Sequence, residues 1–318
     1  MMNIKNEVLL TIRCITYNHE HFIRQCLDGF VMQKTNFRFE AIVHDDASTD
    51  GTANIIREYA EKYPDIIKPI FETENQYSKH DGSLGRIMNS HMHGKYIAIC
   101  EGDDYWTDPY KLQKQVDFLE SHPDYSMCFH SAIHHLEEDV IKKNPDEKQD
   151  RLFSEINDRD YVGTEIYEKW IVPTASVIYR KKVIDSEIYK KATTNRNFIY
   201  GDIVLFLSCT QIGKIRGIPD VMSVYRRHCS SATLKVSPSS KEHVAFLKKY
   251  FLHNKAIVEV FGHDYERIAL EMLEPSSWYI FRESKHHEFQ NYWYLIKKYP
   301  FFIVYALLRR LKYTLFHI

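Results

Sequence analysis

Three carboxylates lie within four positions of the segment CEGDDYW. Glu101, Asp103 and Asp104 follow the short apolar run Tyr96–Ile99, which is typical of a buried strand. Neighbouring negative charges repel each other, so such a cluster is costly unless a ligand neutralises it. Carboxylate oxygens suit Mg²⁺ or Mn²⁺, and phosphate oxygens can complete the shell of either ion. The cluster therefore predicts a divalent cation that holds a diphosphate. The alternative is a helix N-terminus, where acidic side chains favour the helix dipole.

A second acidic pair, Asp45 and Asp46, ends the apolar segment FEAIVHD. An acid at the rim of a sheet can accept a hydrogen bond from the imide N–H of a uracil ring. One of the two acids could instead cap the helix that begins near Thr52. Both functions can hold at once, and the sequence leaves open which acid faces the base. Tyr17 is placed to stack on that base, with core packing as its alternative.

Strands and helices alternate along the first part of the chain. Strands are predicted at 7–16, 39–45, 67–71 and 95–100, and helices at about 22–31, 52–63 and 84–93, the last with Gly94 as its C-cap. This alternation predicts a Rossmann-like, mostly parallel α/β sheet with helices on both faces. No GxGxxG follows the first strand, so the dinucleotide fingerprint is missing. Ligands bind beyond the carboxyl ends of such strands, so we expect Thr16–Asn18 and both acidic groups at one edge.

The second part of the chain predicts a change of architecture. The charge-rich residues 137–160 read as an exposed loop, followed by a strand at 174–179, a helix at 201–211 and a strand at 221–226. Periodic segments from about residue 239 onward favour helices only. We therefore predict an α/β domain over residues 1–235 and a helical C-terminal extension over residues 236–318.

Composition excludes several classes of protein. The chain has 318 residues, a net charge of −1 and 44% hydrophobic residues, which excludes a disordered chain and gives no basic field for nucleic acid. Its six cysteines form no CxxC pair, as expected of free thiols in a reducing compartment. No signal peptide and no apolar span of about 18 residues is visible. These features predict a cytoplasmic protein.

The motifs TYNHEHFIRQCLDGFVMQ, IVHDDASTDGT and GKYIAICEGDDYW together resemble family-two glycosyltransferases with the GT-A fold. The resemblance covers about the first 230 residues and makes 1–235 the catalytic domain. It implies inverting, metal-dependent transfer of a hexosyl group from a nucleotide-sugar, with UDP favoured by the family, to a glycan or lipid-linked glycan in polysaccharide biosynthesis. It places the donor on Thr16, Tyr17, Asn18, Asp45, Asp46, Arg86, Glu101, Asp103 and Asp104.

The acidic cluster takes the family's DxD position, where metal, ribose and diphosphate bind. Asp103 and Asp104 are the metal ligands that the resemblance implies, while Glu101 stands where the family usually has Asp. His228, in YRRHCSS, is a further candidate for the metal or for a phosphate, with a structural histidine as the alternative. Arg86, in SLGRIMNSHMHG, is a loose counterpart of a phosphate-binding arginine, with a solvated helix face as its alternative.

Inverting transfer requires a general base that takes the proton of the acceptor hydroxyl. The family places an acid at a helix start well after the DxD motif, and Asp202 in NFIYGDIVLFLSC matches that position. Gly201 stands where the family often has Glu, and a simple helix cap is the alternative for Asp202. Trp106, Trp170 and Thr174 are the candidates for the acceptor site, with core packing as the alternative for both tryptophans.

The last segment, YPFFIVYALLRRLKYTLFHI, combines apolar residues with three cations. Such a helix can lie in a membrane interface, which would place the protein peripherally at the inner face of the cell membrane. Packing on the domain or a contact within an oligomer are the alternatives. Two further hypotheses compete for the whole chain. One is a noncatalytic nucleotide-sugar-binding or scaffold protein, and the other a nucleotidyltransferase, whose Gly-rich basic loop is replaced here by TYNHEHF.

Overall fold

The computed structural model describes residues 7–143, 150–229 and 240–273, with the backbone alone for 240–244. The chain divides into two compact units, one of residues 1–193 and 202–235, the other of residues 194–201 and 236–318. The apolar and basic segment 299–318, for which membrane contact is predicted, lies outside the described residues. No helix in the described ranges has the length and apolarity that a membrane crossing requires.

The first unit is built on one sheet. Ten strands are found in the described residues: β1 (Val8–Thr16), β2 (Arg38–Asp45), β3 (Ile67–Phe71), β4 (Tyr96–Ile99), β5 (Tyr105–Trp106), β6 (Tyr125–Leu136), β7 (Asp150–Leu152), β8 (Asp160–Tyr161), β9 (Ile178–Arg180) and β10 (Lys214–Arg227). Their order is β3-β2-β1-β4-β9-β6-β10-β5, with β7 paired to β6 and β8 paired to β10.

Helices connect and cover these strands. They are α1 (Ile23–Val31), α2 (Thr52–Lys62), α3 (Ser83–His91), α4 (Lys111–Ser121), α5 (Glu138–Ile141), α6 (Gly163–Lys169), α7 (Glu187–Thr194), α8 (Gly201–Ile212) and α9 (Ser240–Phe261). Single 3-10 turns occupy Tyr77–Lys79, Thr174–Ser176, Lys181–Val183 and His263–Tyr265, and residues 266–273 are helical.

The order in which successive strands are added to the sheet reverses at β1. Strands β1 to β4 are mutually parallel, and β1 lies between β2 on one side and β4 on the other. Chain connections therefore leave β1 and β4 toward opposite sides of the sheet, which opens a crevice at their carboxyl ends. Beyond β4, the antiparallel β9 joins this parallel half to β6 and β10, which are parallel to each other. The mostly parallel α/β sheet predicted from the sequence is confirmed.

The core beneath that crevice follows from the alternation of β1. Leu10, Ile12 and Cys14 point to one face and are fully buried against apolar residues of α1, α2 and α4. Arg13 occupies the opposite face in the same strand. A charge inside a central strand is costly without a partner, so its position calls for an anion nearby.

Several predicted elements were wrong in detail. The strand predicted at 174–179 is a 3-10 turn followed by the short β9, and the exposed loop predicted at 137–160 contains α5, β7 and β8. No strand was predicted for β6, because its polar residues interrupt the apolar pattern. Gly94 does not cap α3, which ends at His91. Its role is close approach, since a Cβ there would lie 2.5 Å from the backbone N of Thr11.

The second unit contains α9 and the segment 194–201. The backbone N of Ile199 donates to His253 Nδ1 at 3.4 Å, and the ring of Phe198 lies 5.6 Å from that imidazole. Burial lowers the pKa of His253 to about 4, so this ring is neutral at neutral pH. The described residues 240–261 and 266–273 of this unit are helical, residues 194–201 join it from within the predicted domain 1–235, and the division at residue 235 stays a prediction.

One lysine of α4 is buried in the core of the first unit. Lys111 is 0% exposed, its Nζ donates to Gln115 Oε1 at 2.8 Å, and it lies 4.2 Å from the centre of the Trp106 ring. Burial lowers its pKa from 10.5 to about 7. Because the folded value is below the unfolded one, the unfolded chain binds more protons between the two. The free energy of unfolding therefore rises with pH between about pH 7 and pH 10.5. Below about pH 7 this group contributes no further change with pH.

We expect Lys111→Met to remove this pH dependence. In the natural chain the free energy of unfolding should rise by roughly 1 kcal/mol per pH unit between about pH 7 and pH 9 from this group alone. Urea unfolding at three pH values measures the slope. Lys114→Met, which removes an exposed lysine of the same helix, serves as the control and should retain the slope. An unchanged slope in Lys111→Met would contradict the assignment.

Candidate functional site

The loops after β1 and β4 touch each other at the crevice. The backbone N of Gly102 donates to the carbonyl of Ile15 at 3.0 Å. A Cβ at Gly102 would lie 2.6 Å from Thr16 Oγ1 and 3.0 Å from His19 Nδ1. Only glycine fits this close approach. It brings the acidic loop that follows β4 directly against the segment that follows β1.

Asp103 is the centre of a cluster of possible metal ligands. His228 Nε2 lies 3.1 Å from Asp103 Oδ2, and His19 Nε2 lies 3.9 Å from the same oxygen. The three potential ligand atoms all lie within 4.8 Å of one another. One carboxylate and two imidazoles at this spacing fit a divalent transition-metal ion. The residues present therefore fit the cation that the DxD resemblance implies.

The protonation states in this cluster suit ligand binding. Burial raises the pKa of Asp103, but the hydrogen bond from His228 and the positive charge that His19 can carry outweigh it and leave the value below the ordinary one. Burial lowers the pKa of His19 more than Asp103 raises it. Asp103 is thus an anion and His19 a neutral imidazole near neutral pH, which are the forms that bind metals.

Asp104 is buried and bound to β10. It is 3% exposed, and its Oδ1 accepts a hydrogen bond from the backbone N of Arg226 at 2.8 Å. Burial raises the pKa of Asp104 well above its ordinary value, and the neighbouring charge of Asp103 adds to this. Asp104 therefore ties the acidic loop to β10, and its predicted role as a direct ligand of the metal stays a prediction.

The side chain of Arg226 is held by protein partners. Its guanidinium donates to Glu137 Oε1 at 2.8 Å and to Gln25 Oε1 at 2.6 Å. It also lies 4.8 Å from the centre of the Phe22 ring. These contacts fix the end of β10, from which His228 projects beside Asp103.

Glu101 has a partner of its own. Arg13 Nη1 donates to Glu101 Oε1 at 3.3 Å, which explains the charge in the middle of β1. Burial raises the pKa of Glu101, and Arg13 opposes that rise. The negative charges of Asp103 and Asp202 raise the pKa of Glu101 further.

The two acids at the end of β2 have different environments. Asp46 is committed to the backbone, because Oδ1 accepts from the N of Gln76 at 2.7 Å and Oδ2 from the N of Tyr77 at 3.0 Å. Asp45 Oδ2 accepts a long bond of 3.4 Å from the N of Ser48. Asp45 Oδ1 is buried and finds no hydrogen-bond partner within the described part of the chain. Burial raises the pKa of Asp45.

The segment after β1 joins the loop after β2. Asn18 has a left-handed backbone with φ of 56°, its N donates to Ser48 Oγ at 2.9 Å, and its Oδ1 accepts from the N of Thr49 at 2.8 Å. Tyr17 beside it is 42% exposed. Thr16 is buried, and its Oγ1 has no hydrogen-bond partner among the residues described. Asn18 thus shapes the loop that presents Tyr17 near Asp45.

Asp202 is the second residue of α8, and the residues that follow it are apolar and buried. Its Oδ1 accepts from the backbone N of Ile203 at 2.8 Å, a bond to the next residue rather than the bond to the second or third residue on that a helix cap makes. Burial raises the pKa of Asp202 above its ordinary value. This contact is compatible with catalysis, because it occupies one lone pair of one oxygen.

The acceptor candidates and Arg86 lie in different surroundings. Trp106 is 2% exposed, donates from Nε1 to the carbonyl of Ala175 at 2.8 Å, and packs 4.9 Å from Phe30. This geometry matches the core alternative for Trp106 and leaves no face for a sugar. Trp170 ends α6 with a left-handed backbone and is partly exposed, and Thr174 starts the 3-10 turn. The side chain of Arg86 is 67% exposed, as on a solvated helix face.

Comparison with known proteins identifies the family of this site. Residues 11–187, which contain most of β1, all of β2 to β4 and the acids Asp45, Asp46, Glu101, Asp103 and Asp104, match the model described as glycosyl transferase family 2. The chain belongs to this family. The chain is 38% identical over 220 residues to an uncharacterized protein of Mycobacterium tuberculosis, a match that covers 69% of this chain and 59%, less than two thirds, of that protein. It is 28% identical over 133 residues to the Escherichia coli enzyme UDP-Glc:alpha-D-GlcNAc-diphosphoundecaprenol beta-1,3-glucosyltransferase WfaP, covering 42% and 49%.

Solved structures share the fold of this chain. The crystal structure of S. aureus TarS in complex with UDP-GlcNAc aligns with a TM-score of 0.60 at 18% identity, covering 89% of this chain and 75% of that one. The mannosyltransferase PcManGT from Pyrobaculum calidifontis, in complex with GDP-Man and Mn²⁺, aligns with a TM-score of 0.52 at 14% identity, covering 95% and 84%. At these identities the likeness shows the GT-A fold.

Two residues of this glycosyltransferase site were missed in the sequence. His19 lies within the quoted motif TYNHEHF, three residues beyond the end of β1, and that position at a strand end was the available signal. Arg13 had a weaker signal, a single cation in an apolar strand. Neither signal names a partner, because Asp103 and Glu101 are far away along the chain.

Proposed function

We propose that the glycosyltransferase moves a sugar from a UDP-sugar to a glycan or lipid-linked glycan acceptor with inversion, in a cation-dependent reaction with Asp202 as the general base. One observation carries the proposal. The cluster of Asp103 with two imidazoles lies at the crevice between β1 and β4, in a chain that matches glycosyl transferase family 2. We propose residues 1–235 as the catalytic domain and residues 236–318 as a helical extension.

Asp45 is the acid that we propose to face the base. Its Oδ1 is buried without a partner among the described residues, whereas both oxygens of Asp46 hold the backbone of residues 76–77. A buried acceptor without a donor is costly, and the imide N–H of uracil would supply that donor. The exposed ring of Tyr17 is then placed to stack on the base, and Thr16 to contact the nucleoside.

Asp103 and His228 are the residues that we propose to hold the cation. A bound divalent cation supplies positive charge that stabilises the departing diphosphate. Asp104 and Arg226 keep these ligands in place by joining the acidic loop to β10. Arg13 holds Glu101, two residues before Asp103 in the same loop, through a hydrogen bond of 3.3 Å. Glu101 is accordingly proposed to contact the ribose or the donor sugar.

Asp202 is suited to the role of general base. Burial raises its pKa, and a carboxylate with a raised pKa is a stronger base. The hydrogen bond from the backbone N of Ile203 orients its carboxylate at the start of α8. The E. coli relative names a diphosphoundecaprenol-linked sugar as its acceptor, which supports a lipid-linked glycan here. Trp170 and Thr174 remain the residues proposed for the acceptor side.

A screen of nucleotide-sugars by thermal unfolding tests this function. With Mn²⁺ present, a UDP-sugar at about 100 times its Kd should stabilise the protein by about 2.7 kcal/mol, and GDP-sugars should not. We expect Asp45→Ala to weaken UDP binding about tenfold or more, because a hydrogen bond to a charged group contributes about 1.5–3 kcal/mol. Asp117→Ala, on the exposed face of α4, is the matched control. Stabilisation by no nucleotide-sugar would contradict the proposal.

A further inference from the structure

We propose that His19 is a direct ligand of the cation, and that His19 and His228 together make the site select Mn²⁺ or Co²⁺ over Mg²⁺. The inference rests on the proposed function, because it concerns the cation of that same site. It adds His19, from the segment after β1, to the two ligands already proposed. These are Asp103, in the acidic loop after β4, and His228, directly after β10.

The position of His19 is fixed by its own segment. Its backbone N donates to Thr52 Oγ1 at 2.8 Å, at the start of α2. The ring stands nearly perpendicular to that of His228, at 87° and 6.0 Å between centroids. Phe22, one turn further on, packs 4.4 Å from the His228 ring and 6.3 Å from that of His19. Both imidazoles are therefore oriented by packing before any ligand binds.

The polar atoms of the His19 ring are not explained by hydrogen bonds of the described protein. Its Nδ1 is buried and has no such partner within the described ranges. Its Nε2 lies 3.9 Å from Asp103 Oδ2, which is beyond a hydrogen bond. Ligand atoms that bind one ion at about 2.1 Å lie roughly 3 to 4 Å apart, so this separation suits two ligands of a shared cation. A cation bound at Nε2 would give that nitrogen a partner, whereas Nδ1, on the other side of the ring, would not bind the same ion.

The chemistry of the ligand set decides the choice of cation. Mg²⁺ prefers oxygen ligands and retains its waters, whereas imidazole binds the later divalent ions more strongly. One carboxylate with a single imidazole discriminates weakly. A second imidazole should increase the preference in the order Mg²⁺, Mn²⁺, Co²⁺. His19 is thus the residue on which the selectivity depends.

Calorimetric titration of the full chain with each of the three ions, in the presence of UDP, tests this inference. We expect His19→Ala to lower the affinity for Mn²⁺ and Co²⁺ at least about tenfold, and the affinity for Mg²⁺ less than about threefold. His21→Ala, which removes an exposed histidine two positions away, is the matched control and should leave all three affinities unchanged. Thermal unfolding without metal checks that both variants fold.

Pulsed electron paramagnetic resonance of bound Mn²⁺ gives a direct count of the nitrogen ligands. The natural chain should show coupling to two imidazoles and His19→Ala to one. Equal weakening of all three ions, or unchanged coupling in His19→Ala, would overturn the role of His19 while leaving the cation-dependent function intact. Binding of no divalent ion by the natural chain would overturn both proposals.

Discussion

Asp202→Asn is expected to abolish transfer while leaving donor binding intact. A general base contributes about 10²–10⁴-fold to the rate, so kcat should fall by that factor. The isosteric amide keeps a side-chain oxygen for the Ile203 backbone N, which preserves the start of α8. The Kd of UDP and of the UDP-sugar should therefore change less than about threefold. Steady-state kinetics with the nucleotide-sugar that stabilises the protein in the thermal-unfolding screen measures kcat, and calorimetry measures the Kd values.

The pH profile separates a base from a structural residue. Burial raises the pKa of Asp202, so protonation removes the base at a higher pH than for an ordinary aspartate. Activity of the natural enzyme should rise with pH through that raised pKa, and the residual activity of Asp202→Asn should lack this rise. Asp220→Asn, a surface aspartate of β10, is the control for loss of a carboxylate. Normal turnover in Asp202→Asn would remove Asp202 from the mechanism.

Asp103→Asn is expected to have the second large effect, on cation binding itself. Asp103 is the only anion of the cluster formed with His19 and His228 in the described structure. Its loss should lower the affinities for Mn²⁺, Co²⁺ and Mg²⁺ alike, by about 100-fold or more, because the binding of every divalent ion depends on that charge. Stabilisation by a UDP-sugar with Mn²⁺ should fall to the level seen with EDTA. Calorimetry and thermal unfolding give the two measurements.

This pattern differs from the one expected for His19. Asp103→Asn lowers the affinity for all cations, whereas His19→Ala changes the ratio between them. Asp117→Asn, on the exposed face of α4, should change neither. Full Mn²⁺-dependent donor binding in Asp103→Asn would place the cation elsewhere and refute the proposed cluster.

Much of this site was accessible from the sequence, for a local reason. Apolar runs of strand length ended in polar residues at Thr16, Asp45 and Glu101, and parallel strands bring such ends to one edge. The α/β fold class, and the expectation that the motifs lie at one edge of the sheet, followed from the hydrophobic period of each segment and the order of strands and helices along the chain. The start of α8 at Gly201, which puts Asp202 in its first turn, followed in the same way. These features depend on residues that are neighbours along the chain.

The tertiary structure alone decided which side chains act together. Asp46 is bound by the backbone of residues 76–77, so Asp45 is left with the free oxygen, and Glu101 is drawn to Arg13 on the far face of β1. His19 and His228 come from opposite ends of the first unit and meet at Asp103. Trp106, beside the acids in sequence, turns into the core. The local sequence pattern determines on which face of a strand a residue lies and whether it stands at the strand's end. Its interaction partner depends on loops that pack against it from distant parts of the chain.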